Sequence, residues 1–106
     1  MTTFDDRLKA ELAKFRHDME FEFKVRVRRD KLFALEIAQE LGLSREDSLE
    51  YAKALVLADF RQCGDDPILE KVVSDLQAKG KPVDKVGLKR ELDKLNAQAH
   101  DQMMQE

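Results

Sequence analysis

Residues 21–28 read Phe21-Glu22-Phe23-Lys24-Val25-Arg26-Val27-Arg28. Apolar and polar residues alternate strictly, which is the period of a β-strand. No second stretch of the chain offers a partner strand, and a lone strand leaves its backbone groups unpaired. Read as a helix, the same residues make two i,i+4 apolar pairs, Phe21 with Val25 and Phe23 with Val27, on different sides. Glu20 with Lys24 and Glu22 with Arg26 then form i,i+4 ion pairs in the favourable order. The stretch therefore reads as helix, in a segment that is either covered on two sides or marks a bend.

Outward from this stretch the pattern stays helical. Gly42, Gly64 and Gly80 each follow an apolar-periodic run, as helix C-caps do. Ser44-Arg45-Glu46-Asp47 reads as a capping box. Asp66-Pro67 reads as an N-cap followed by proline at the first helical position. Asp84 can cap the last helix. These marks predict four helices over 4–41, 45–63, 67–79 and 85–103. The expected buried stripes are Val25, Leu32, Leu35, Ala38 and Leu41 with Phe33 and Ile37 beside them; Leu49, Ala52, Val56 and Phe60; Leu69, Val72, Val73 and Leu76; and Leu88, Leu92, Leu95, Ala99 and Met103. Gly87 falls inside the last helix, where it costs about 1 kcal/mol relative to Ala. Short connections imply neighbours that pack nearly antiparallel or at a steep angle. The expected class is all-α, a four-helix bundle-like domain.

Composition agrees and excludes other classes. The chain has 106 residues, 39% of them charged, with only six Gly and Pro in all. No stretch approaches the roughly 20 apolar residues that cross a bilayer. Cys63 is alone, so there is no disulfide scaffold; it reads as a buried or incidental thiol in a reducing cytosol. The start, Met1-Thr2-Thr3-Phe4-Asp5-Asp6-Arg7, is not that of a secretory or mitochondrial leader. The expected location is cytoplasmic.

The first predicted helix is out of proportion. At 1.5 Å per residue it spans about 57 Å, against about 29 Å for the second and fourth and about 20 Å for the third. The shorter helices cannot cover it end to end. Residues 1–19 are expected to extend from a bundle formed by 20–106. That overhang carries a narrow stripe, Phe4, Leu8, Leu12, Phe15 and Met19, with balanced charges around it. Alone it is marginal in water. It needs a surface, whether its own bundle, a second copy or a partner's groove.

Catalytic chemistry is missing. The four glycines form no phosphate loop. His17, His100 and Cys63 make no metal cluster. His17 beside Asp18 reads as an exposed or capping histidine rather than a pH-sensitive contact. No carboxylate pair is marked for acid–base work, and Ser44 is explained as a cap. The chain is expected to be no enzyme and to need no cofactor. The one charge anomaly is the run Lys24, Arg26, Arg28, Arg29 and Lys31, which with Asp30 gives +4 in eight residues, against 15 acids and 10 bases from residue 32 onward. Internal pairing with the acidic helices is one account. An acidic protein surface or a nucleic acid is the other, though no base-reading motif accompanies the run and a nucleic acid is not expected.

The order and spacing of several motifs resemble a known family. They are Phe4-Asp5-Asp6-Arg7; Lys14-Phe15 with His17-Asp18; Phe23-Lys24 with Arg26, Arg28-Arg29 and Lys31-Leu32; Leu41-Gly42-Leu43; Tyr51-Ala52-Lys53; and Ala58-Asp59-Phe60 with Gly64-Asp65. Together they resemble the small bacterial zeta subunit that inhibits F-type ATP synthase. The resemblance is specific over the first 60 residues and looser after about residue 67. It implies four helices and an N-terminal segment that enters the catalytic head between the alpha and beta subunits, beside the rotating gamma shaft. There the segment blocks hydrolytic rotation while the bundle anchors outside, peripheral to the membrane and without touching it. Carried onto this chain, the inhibitory stretch falls on Phe4, Asp5, Asp6, Arg7, Leu8, Leu12, Phe15 and His17. Lys24, Arg26, Arg28, Arg29 and Lys31 are candidates for an anchoring or basic face. Weak nucleotide binding by the bundle stays open. The chain departs from the family pattern at several places, including Asp30 for an asparagine, Val25 and Val27 beside the arginines, and Glu36 for an aromatic residue. The last puts a charge in the half of the helix expected to pack.

Overall fold

The computed structural model describes residues 2–61 and 65–106. Ahead of Met19 the side chains described are those of Asp6, Ala10 and Ala13, together with the helical backbone from residue 2. The helix end predicted at Gly64 and the thiol of Cys63 lie outside the described residues. Those residues form four helices and no strand: α1 (Thr2–Leu41), α2 (Arg45–Arg61), α3 (Asp66–Ala78) and α4 (Lys85–Gln105).

The alternating stretch is helical, and its two-sided apolar pattern has a physical cause. Val25 is buried in the core. Phe21 meets His100 of α4 edge-on, with ring centroids 5.3 Å apart. Phe23 leans on Phe60 of α2 at 4.9 Å. Val27 lines the groove between α1 and α2. The segment is thus flanked by two helices at once, and needs no bend.

Caps end the helices as the glycines and cap residues suggest, with one exception. Gly42 and Gly80 have φ of 73° and 69°, the left-handed conformation that favours glycine. After each, the next residue's N–H reaches back to the last turn: Leu43 to Ala38 O and Lys81 to Leu76 O, both at 3.0 Å. The Ser44 hydroxyl accepts from the Asp47 N–H at 3.1 Å, and the Asp84 carboxylate from the Gly87 N–H at 3.1 Å. The exception is α3. Its N-cap is Asp65, Asp66 already lies in the helix, and no side chain caps it. The Asp65 carboxylate is engaged by Arg29 and Lys89 instead.

The core lies where α1 meets the other three helices. Phe33, Ala34, Ile37 and Leu41 pack with Ala52 and Leu55 of α2, Ile68, Leu69, Val72 and Leu76 of α3, and Leu92 and Leu95 of α4. The stripe on α1 is centred on Phe33 and Ile37, while Leu32 and Leu35 are half-buried flanks. On α2 the buried face is Ala52, Leu55 and Asp59; Leu49 and Phe60, expected inside, are exposed. The expectation erred because Asp59 was not read as a core position. Glu36 does not enter the core: it is exposed.

Among the described side chains of α1, burial begins at Val25; Met19 and Glu20 are exposed. Near the C-terminal end of α4, Met103 and Glu106 line a shared cleft with Glu20, Phe21 and Lys24. The molecule measures 65 × 25 × 21 Å. Its long dimension matches the about 60 Å of a 40-residue helix.

Candidate functional site

Where α1 enters the bundle, a buried charge cluster ties it to the other elements. The Arg26 guanidinium donates to both oxygens of Asp59, Nε to Oδ2 at 2.7 Å and Nη2 to Oδ1 at 2.8 Å. One turn on, Arg29 donates to Asp59 at 3.2 Å, to Asp65 at 3.1 Å and to its neighbour Asp30 at 3.0 Å. Lys89 of α4 closes the ring by donating to Asp65 at 2.8 Å. Arginine suits this role, because its planar fork can serve several carboxylates at fixed angles.

Electrostatics within the cluster are uneven. Burial works to raise the Asp59 carboxyl, but hydrogen bonds from Arg26 and Asp30, with the charges of both arginines, hold it below the usual carboxylate range. Asp65 is likewise held low against burial, by the hydrogen bonds and charges of Lys89 and Arg29. Asp30 goes the other way. Burial, and then its hydrogen bond with Asp59, push it up to about 8, which Arg29 only partly offsets. Its Oδ2 is fully buried, with no donor in reach. A proton shared from Asp30 to Asp59 lets the two carboxyl groups lie side by side. Asp30 therefore acts as a neutral acid at neutral pH, which leaves Arg26 and Arg29 to Asp59 and Asp65, while Lys89 is shared between Asp65 and Asp93.

The residues singled out by sequence separate clearly. Arg29 lies inside the bundle, Arg26 is half-buried on Asp59, and Arg28 pairs with Glu106 at 2.7 Å. Lys24 and Lys31 are exposed. In the N-terminal stretch Asp6 is exposed, on helical backbone. The side chains of Phe4, Asp5, Arg7, Leu8, Leu12, Phe15 and His17 lie outside the described residues. Sequence reading missed Asp59 and Asp65 as the partners of the arginines. The available signal was an acid at the i+4 step after Leu55, a spacing that belongs to a buried face.

The cluster holds no nucleophile paired with a base. No group of three or more His, Cys, Asp or Glu among the described residues could hold a metal ion. What it can do is mechanical: it fixes the root of a long helix to three other parts of the fold. The family model for ATPase inhibitor subunit zeta matches residues 1–102. The chain belongs to that family. The matched residues take in the N-terminal stretch as well as residues of all four helices. Among curated proteins none matches the chain. No helix among the described residues is long and apolar enough to cross a membrane.

Proposed function

We propose that this zeta-family chain stops ATP hydrolysis by F-type ATP synthase as a mechanical plug, with no bond made or broken by the chain itself. Residues 1–19 enter the catalytic head at an interface of the alpha and beta subunits beside the gamma shaft. Residues 20–106 form the bundle that stays outside, peripheral to the membrane through the synthase. The observation that carries this reading is the disproportion of α1. It is helical from Thr2, yet among its described side chains the first half-buried one is Phe21 and the first fully buried one is Val25.

In this division of labour, Phe4, Leu8, Leu12 and Phe15 supply apolar burial in the cleft of the enzyme. Asp5, Asp6 and Arg7 set the register through charge pairs, and His17 lies at the segment's base. The Arg26, Arg29 and Asp59 joint resists torque on the helix when the rotor pushes against the segment. An unanchored segment would swing; a helix pinned at its root transmits the load to the bundle.

A photo-reactive residue placed at position 12 tests the insertion. In the inhibited complex it is expected to cross-link to the alpha or beta subunit. Full inhibition with cross-links to neither subunit would refute the plug.

A further inference from the structure

Two acidic side chains from different helices meet inside the joint that holds the root of α1. Asp30 of α1 and Asp59 of α2 are both fully buried. One nitrogen of Arg29, Nη2, lies 2.8 Å from Oδ1 of Asp30 and 3.2 Å from Oδ2 of Asp59, so a single donor serves both carboxyl groups. Further donors favour Asp59, which Arg26 holds with two bonds. Oδ2 of Asp30 has no donor in reach, and among the described residues it is the one buried side-chain oxygen or nitrogen in that position. The remaining charged groups of the joint are engaged elsewhere. Asp65, at the N-cap of α3, takes Nη1 of Arg29 and the ammonium of Lys89 from α4, and Lys89 also holds Asp93.

This arrangement suits a pair of acids that shares one proton and does not suit a pair that has none. An ionised carboxylate spreads its charge over both oxygens, so part of the charge on Asp30 would rest on an oxygen that no donor reaches. Two like charges would also face each other across the seam between α1 and α2, which disfavours ionising the second. Burial, and then the bond with Asp59, accordingly hold the Asp30 proton up to about 8. Water can relieve a bare carboxylate there only if the seam parts. The contacts that close the seam toward the N-terminal end of α1 are few: the Phe23 ring on the Phe60 ring at 4.9 Å, and Arg26 on Asp59 and over the Phe60 ring. Phe23 is 56% and Phe60 38% exposed, so solvent already stands beside them.

We propose that Asp30 and Asp59 form a proton-held latch: with its proton the pair locks the root of α1 to α2, and without it the seam opens from Phe23 and Phe60 to Asp59 and frees the overhanging helix to swing. The unlatched chain keeps the rest of its core, which lies further along α1 at Phe33, Ile37 and Leu41. The direction follows from linkage. The closed joint holds the proton more tightly than the open one. The closed state therefore loses ground by up to about tenfold per pH unit as pH rises from the usual carboxylate range to about 8, and no further above it. Asp59 and Asp65 are held low, so they titrate below this window and leave its sign unchanged. A swinging helix bears no load, so inhibition weakens as the surroundings turn alkaline. That consequence rests on the plug reading; the latch does not.

The latch is read on the isolated full chain, and its consequence on the enzyme. In the isolated chain, NMR contacts between the Phe23 and Phe60 rings are expected at about pH 6 and expected to fade by about pH 9, while contacts around Phe33 persist. Asp30→Asn, which has no proton to lose there, is expected to keep the ring contact at both pH values. A wild-type ring contact as strong at the higher pH as at the lower overturns the latch, whatever the variant does. With the synthase, the amount of chain that halves ATP hydrolysis is expected to rise over the same range by about tenfold more for the wild type than for Asp30→Asn, which corrects for the pH response of the enzyme itself. Equal rises for the two chains overturn the control of inhibition by the latch. Inhibition by neither chain at any pH contradicts the plug reading instead, and the ring contact then decides the latch alone.

Discussion

Arg26 of α1 grips the carboxylate of Asp59 of α2 with two hydrogen bonds, at 2.7 and 2.8 Å, while Arg29 reaches the same group from the next turn. Asp59 is fully buried, so its charge is affordable only with both arginines in place. Asp59→Ala takes from Arg26 the carboxylate it grips and from buried Arg29 one of its carboxylate partners. The variant is expected to lose about 3 kcal/mol or more of unfolding free energy in urea titration. A loss within about 0.5 kcal/mol would mean that the joint is incidental.

Asp30 gives the bundle a pH dependence of opposite sign to the ordinary one. The folded chain keeps a proton on Asp30 up to about 8, while the unfolded chain releases it in the usual carboxylate range. This contribution is full below the usual carboxylate range and is lost as pH rises through about 8. Asp59 and Asp65 are held low, so theirs is present above that range and lost as pH falls through it. The melting temperature is expected to fall between about pH 5 and about pH 9. Asp30→Asn keeps an acceptor for Arg29 and a donor for Asp59, and is expected to flatten most of that slope. Glu36, raised by burial and by Glu91, contributes a slope of the same sign.

Gly87 is a case where helix propensity gives the wrong sign. A Cβ there would lie 2.6 Å from Oδ2 of Asp84, the carboxylate whose other oxygen accepts from the Gly87 N–H. Gly87→Ala gains about 1 kcal/mol of propensity and loses a cap worth about 1 kcal/mol. No net gain in stability is expected. A clear rise in melting temperature would show that the cap re-forms around the methyl group.

Buried and exposed apolar residues are expected to part company under mutation. Phe33 is fully buried, and Phe33→Ala should cost about 3–5 kcal/mol. Leu57 is more than half exposed, and Leu57→Ala should change monomer stability by no more than about 0.5 kcal/mol. Chemical denaturation at low protein concentration compares the two.

Much of this was legible in the sequence. Helix ends followed from Gly42, Gly80, Ser44 and Asp84, because each has one steric or hydrogen-bonding reason to stand where it does. The faces were harder. Periodicity ranks positions by hydrophobicity, so it chose Leu49 and Phe60 for the inside of α2 and passed over Asp59. An acid becomes a core residue only through partners distant in sequence, here Arg26 and Arg29, and no local pattern reveals that pairing. Asp65 was lost in the same way: the cap was placed on Asp66, yet Asp65 is the cap position and is held by Arg29 and Lys89. The stripe from Phe4 to Met19 was plain from spacing, but spacing says only that the stripe needs a surface.

The central claim is that residues 1–18 inhibit and the remainder folds. It is tested most directly by adding the full chain, and separately the chain lacking residues 1–18, to the ATP synthase of its own organism and measuring ATP hydrolysis. The full chain is expected to suppress hydrolysis. The shortened chain is expected to keep its helical content and cooperative melting yet leave hydrolysis at the uninhibited rate. Equal inhibition by the two forms would contradict the account.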